Sequence, residues 1–128
     1  MQKKLLFCFA LSCLFAVYAV PEYLVTGKNP SELEKLAEKE LKFFYKKIYQ
    51  RVLKNISPQN AAGKSVIYLG DTEAARKQGF SLSKAGKEEW FLKTHGKNLI
   101  ISGGRPAGTL YGVYELLERL GTAFVAPG

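Results

Sequence analysis

The apolar positions fall into blocks of different spacing, and each block predicts an element. Leu5 to Val17 runs almost without a polar side chain. Tyr23-Leu24-Val25 is a short apolar run before Gly27 and predicts a first strand. From Leu33, apolar residues recur at Ala37, Leu41, Phe44, Ile48 and Val52, a three- and four-residue spacing that predicts one long amphipathic helix ending near Lys54. Its start is marked by Asn29 as a cap, Pro30 at the first helical position and Glu32 as the capping-box carboxylate. After a loop at Ser57-Pro58-Gln59-Asn60, Val66-Ile67-Tyr68-Leu69 has the continuous apolar character of a buried strand. Gly70-Asp71-Thr72 ends it, and Asp71 or Thr72 caps a short helix closing near Gly79. Two strand-like runs, Trp90 to Lys93 and Asn98 to Ser102, flank a hairpin signal at His95-Gly96-Lys97.

The turn-prone stretch from Gly103 to Gly108 leads into a helix opened by Thr109, with Leu110, Val113, Tyr114, Leu117 and Leu120 on one face. Gly121 stands where a left-handed residue closes a helix, and Ala123-Phe124-Val125 reads as a last strand. The order β-α-β-(α)-β-β-α-β predicts an α/β two-layer sandwich, a mixed β-sheet with two main helices on one face.

The flanks of the first block decide its meaning. Lys3 and Lys4 precede it, Val17-Tyr18-Ala19 offers small residues for a signal peptidase, and Pro21 with Glu22 ends it. Residues 1–19 are therefore expected to be a signal peptide, with a domain over 20–128 exported to the periplasm or beyond the cell. The apolar run is shorter than the ~20 residues of a membrane-crossing helix, so no stable membrane anchor is expected. Cys13 follows Ala10-Leu11-Ser12, but the apolar stretch continues past it, which argues against lipidation. Cys8 and Cys13 both leave with the leader, and the mature chain then has no disulfide or thiolate metal site. Its length suits one small domain and is too short for a barrel enzyme of ~250 residues.

The formal net charge of +8 loses only the two units of Lys3 and Lys4, so the basic bias belongs to the domain. On the long helix the charges are sorted, with Glu32, Glu34, Glu38 and Glu40 ahead of Lys42, Lys46, Lys47, Arg51 and Lys54. That order complements the helix dipole and accounts for the lysines without nucleic acid, although Phe43, Tyr45 and Tyr49 are interleaved with them.

The chain offers no catalytic, cofactor-binding or metal-ligating residue. Gly63-Lys64-Ser65 lacks the earlier glycine of a phosphate loop and precedes a strand. Gly103 to Gly108 does not have dinucleotide-binding spacing, and its glycines read as a tight turn with close helix packing. His95 is the only histidine and lies in a turn, which removes histidine-pair zinc sites. The carboxylate pairs are poor: Glu88 and Glu89 are adjacent at a strand edge, and Glu115 and Glu118 lie on the last helix near Arg119. Asn55-Ile56-Ser57 is a weak glycosylation sequon with Pro58 behind it.

The last third carries a more specific signal. A strand ending Ile101-Ser102-Gly103-Gly104 is followed by Gly108-Thr109-Leu110-Tyr111-Gly112-Val113-Tyr114-Glu115-Leu116-Leu117-Glu118, then Leu120-Gly121 and Pro127-Gly128. This run resembles the end of the N-terminal domain that precedes the catalytic barrel in bacterial alpha-glucuronidases and related glycoside hydrolases; beta-N-acetylhexosaminidases have a similar accessory domain. The helix segment Ala37 to Leu41 and the strand Val66 to Gly70 look similar too. Ala107, where a basic residue is common, and Thr122-Ala123 depart from the pattern.

The resemblance implies a zincin-like fold without the H-E-x-x-H motif and a non-catalytic module of an exported enzyme of polysaccharide degradation. It also implies a partner in cis, a catalytic barrel missing from this chain, packed on the apolar sheet face or the Gly103 to Gly128 edge. On that view the chain is a truncated fragment. The alternative is a free-standing extracytoplasmic module that binds acidic glycan polymer through side chains such as Lys46, Tyr49 and Trp90.

Overall fold

Four of the five strands point the same way, so the chain returns across the sheet by crossovers after the first two and by the one antiparallel strand before the last. The computed structural model describes residues 20–121, so the leader and the strand expected at Ala123-Phe124-Val125 lie outside the described residues. The elements are β1 (Tyr23–Thr26), α1 (Glu32–Tyr49), β2 (Lys54–Asn55), β3 (Val66–Leu69), α2 (Glu73–Lys77), β4 (Trp90–His95), β5 (Asn98–Gly103) and α3 (Gly108–Arg119). The sheet order is β2-β1-β3-β5-β4. Only β4 is antiparallel, paired with β5 through the tight turn at Gly96-Lys97, where Gly96 takes a φ of 64°.

The expected mixed sheet with two main helices on one face is what forms. Leu24, Ile67, Leu69, Leu92, Leu99 and Ile101 point to that face and meet Ala37, Leu41 and Tyr45 of α1 and Val113, Leu116 and Leu117 of α3. The residues between them point the other way. Val25 and Val66 are covered by the segment holding Ile56 and Ala61, and Ile100 by Ala75 and Phe80. Burial on both faces explains why β3 and β5 read as unbroken apolar runs.

The first helix departs from expectation at both ends. Its cap is Ser31, not Asn29: the Ser31 hydroxyl accepts from the Glu34 amide at 3.2 Å and the Glu34 carboxylate accepts from the Ser31 amide at 2.9 Å. This reciprocal pair satisfies two orphan donors and fixes the start two residues later. The helix ends at Tyr49 because Gln50 turns left-handed, with φ 60° and its N–H on the Lys46 carbonyl. Val52 is therefore not on the helical stripe but 64% exposed beyond it, and Lys54 pairs with Tyr23 in a two-residue edge strand absent from the sequence reading. Tyr45, grouped by sequence with the basic face, is fully buried and donates its hydroxyl to the Pro21 carbonyl at 2.6 Å. Burial raises its pKa far above the phenol range, with a further push from neighbouring Tyr49.

Thr72 caps the short helix, its hydroxyl accepting from the Ala75 amide at 3.1 Å, and Gly79 with φ 97° follows that helix as expected.

Candidate functional site

In open α/β sheets the crevice at the carboxyl ends of the strands is where ligands usually bind. Here β1, β3 and β5 end together and α1, α2 and α3 begin there, but backbone fills the space. A Cβ on Gly103 would strike the Gly108 backbone, one on Gly104 the Gly86 carbonyl, and one on Gly108 the Glu89 carbonyl. Even Gly27 leaves only 2.7 Å between such a carbon and the Asp71 carbonyl oxygen. The Gly104 amide donates to the Glu89 carbonyl at 2.9 Å, and the Ser102 hydroxyl to the Gly70 carbonyl at 2.9 Å. The Gly103 to Gly108 run is thus a packing junction, as its spacing suggested.

One charged pair locks this edge. Arg105 donates through Nε and Nη2 to both oxygens of Glu34, each at 3.0 Å, and through Nη2 to the Asn29 carbonyl at 2.8 Å. Glu34 is 5% exposed, so the capping carboxylate of α1 is also the anchor for the loop that precedes α3. The hydrogen bonds to Glu34 raise the Arg105 pKa, and its charge is permanent at any working pH. Sequence reading passed over this pair because 71 residues separate its members.

The other candidate residues stay apart. His95 is exposed at the end of β4, opposite Asn98. Glu88 and Glu89 do not sit on a strand: the Glu89 carboxylate accepts from the Gly86 amide at 2.9 Å, closing a turn ahead of Trp90. Glu115 is held by Arg119 at 2.6 Å, and Glu118 is exposed. Ser65 and Lys97 tie the Gly63-Lys64-Ser65 turn to the hairpin, at 2.9 Å to the Lys97 carbonyl and 3.1 Å to the Gly63 carbonyl. The Asn55 side chain bridges Lys42 and Glu38. Among the described residues no group of three or more His, Cys, Asp or Glu side chains could hold a metal ion, and no helix is long and apolar enough to cross a membrane.

A different surface lies at the amino edge, where α1 ends and the chain turns into β2. A shallow groove of about 530 Å³ has Phe43, Val52 and Leu53 as its floor and Lys39, Lys42, Lys46 and Lys47 around it. Phe43 is 56% exposed. Lys42 pairs with Glu38 at 3.0 Å and Lys47 lies 5.3 Å from the Phe43 ring centre, whereas Lys39 and Lys46 have no acidic partner among the described residues. A smaller hollow of about 200 Å³ beside it includes the Arg51–Glu22 pair. The signal for this groove was present in sequence as an aromatic residue, Phe43, off the apolar stripe and among lysines.

A sequence model of the glycosyl hydrolase family 67 N-terminus matches residues 16–116. The chain belongs to that family. No curated protein matches it.

As a family 67 N-terminal domain, the chain carries its likeness through the sheet and well into α3, including the glycine junction and Arg105. Ala107 is the N-cap residue of α3 and makes no side-chain cap, so the cation of this loop is Arg105, turned inward to Glu34. Thr122-Ala123 lies outside the described residues. The three side chains considered for glycan do not form one site in this domain. Tyr49 and Lys46 end α1 at the amino edge, while Trp90 pairs with Gly103 at the carboxyl edge and packs against the core.

Proposed function

We propose that this family 67 N-terminal domain is the non-catalytic module of an exported alpha-glucuronidase-type glycoside hydrolase, and that it works by holding a following catalytic domain in place. The observation that carries the reading is how its carboxylates are used. Glycoside hydrolysis needs two carboxyl groups roughly 5 to 10 Å apart across an open cleft. Here Glu34 is consumed by Arg105, Glu115 by Arg119 and Asp71 by Arg76, and the two hollows described above contain a single carboxylate, Glu22, already paired. The family assignment favours the glucuronidase type over the hexosaminidase type. Export rests on the leader pattern of residues 1–19.

Both faces of the sheet are covered by this chain's own residues, so a neighbouring domain has to meet the outer surface of the helices or an edge. The purified 128-residue chain is expected to turn over neither aryl glucuronide nor aryl N-acetylglucosaminide, and turnover of either would end the non-catalytic reading. In a polypeptide that also carries the catalytic domain, deleting residues 20–121 should lower the unfolding temperature of that domain. N-terminal sequencing of the exported protein should begin at Val20.

A further inference from the structure

We propose that residues 20–22 form a strap that closes the leader junction to proteolysis once the domain has folded, so that the bond ahead of Val20 is cut only in the unfolded chain; this rests on the leader reading given above. Each residue of the strap is held by a different part of the fold. Val20 packs on the main core cluster. Pro21 is buried, and its carbonyl accepts from the Tyr45 hydroxyl of α1 at 2.6 Å. Glu22 is bound on both sides: its amide donates to the Ser65 carbonyl at 3.2 Å, and its carbonyl accepts from the Lys54 amide of β2 at 3.1 Å. Its carboxylate pairs with Arg51 at 3.2 Å.

Peptide cleavage sets requirements that this arrangement refuses. A peptidase takes its substrate as an extended strand and pairs with the backbone on either side of the bond it cuts. One extended residue spans only ~3.5 Å, and Val20 alone separates the junction from the clamped Pro21 carbonyl. The amide and carbonyl that a cleft would engage at Glu22 are already used by the sheet. Reaching the bond therefore requires the strap to lift. That takes Val20 off the core and leaves the Tyr45 hydroxyl, on a side chain with no exposed surface, without its acceptor. The unfolded chain has none of these contacts to break. The consequence is an order: leader removal comes first and folding second, and a chain that folds first keeps its leader.

The test follows cutting by purified signal peptidase in detergent micelles, read by mass spectrometry of the shortened product. It compares the refolded 128-residue chain with Gly104→Val and with a chain in which a second copy of residues 20–25 is inserted ahead of Val20. The insertion keeps the junction sequence and moves it away from the strap. The refolded wild type should be cut about a hundredfold more slowly than either of the others. Tyr45→Phe, which frees the Pro21 carbonyl, should be cut about tenfold faster than wild type, because cutting follows the population in which the strap has opened. Circular dichroism establishes which chains are folded, and the comparison of wild type with the insertion stands whether or not Gly104→Val unfolds. Rapid cutting of folded wild type, or a folded insertion chain as resistant as wild type, would overturn the strap and leave the leader reading intact. No cutting of any form at this bond would overturn the leader reading and the strap with it.

Discussion

The two edges of the sheet are built on opposite principles. At the carboxyl edge three glycines let backbones touch where side chains would clash, and a buried carboxylate is gripped by a guanidinium from a distant loop. At the amino edge the chain leaves α1 through a left-handed residue, exposes Val52 and Phe43, and leaves lysines without counter-charges. The edge that α/β sheets commonly give to a ligand is here given to packing, and the lysine-rimmed groove lies at the other end. The segment with the most distinctive sequence is therefore informative about ancestry and stability, while the less distinctive one leaves apolar and cationic side chains exposed.

This contrast makes graded predictions. Gly104→Val should be the most damaging change, since its side chain would have to displace the Gly86 carbonyl; a loss of about 4 kcal/mol or more, read by urea denaturation, places it with backbone-clash mutations. If Gly104→Val unfolds at the wild-type urea midpoint, the carboxyl edge is not a packed junction. Glu34→Ala removes the capping box and, among the described residues, the one carboxylate bound to Arg105, and should cost about 3 kcal/mol. Glu34→Gln should recover part of that by keeping the cap.

Tyr45→Phe tests a buried clamp at the amino end, the hydroxyl on the Pro21 carbonyl, and should cost about 1.5 kcal/mol. It also carries a pH signature. The folded-state pKa of Tyr45 is raised by burial, so above pH ~10 the unfolded chain gives up a proton that the native chain retains. Its stabilisation is complete below that pH and declines as pH rises further; the decline, measured by denaturation at stepped alkaline pH, should be shallower in Tyr45→Phe. The smallest effects belong to the groove, where Lys46→Ala and Val52→Ser should shift stability by less than about 0.5 kcal/mol. A larger shift would mean that the groove is part of the fold and not a free surface.

How much was legible follows the range of the interactions concerned. The strands at Tyr23, Val66 and Asn98, the hairpin and the short helix capped by Thr72 come from local periodicity and turn chemistry and were read correctly, whereas the α3 stripe was right at Leu110, Val113 and Leu117 but wrong at Tyr114, which is exposed while Leu116 takes the buried place. The start of α1 was misplaced because Asn29-Pro30-Ser31-Glu32 contains two possible caps, and only the fold lets Ser31 and Glu34 close on each other while Asn29 gives its carbonyl to Arg105. The end of α1 was misplaced because Val52 continues the spacing after the helix has stopped. The β2 strand has no pattern of its own, being two exposed residues held by β1. At the carboxyl edge the glycines were legible as a packing turn, but the Glu34–Arg105 pair was not, since no local rule joins residues so far apart.

That separation also sets an order of events for a chain made from its N-terminus. The capping box of α1 closes within four residues and can form early, but the second partner of Glu34 does not exist until Arg105 has been synthesised. Until then the carboxylate has no counter-ion and cannot be buried without penalty. Glu34 can therefore be buried with its charge balanced only once the chain has been made as far as Arg105, nearly the whole of the described domain.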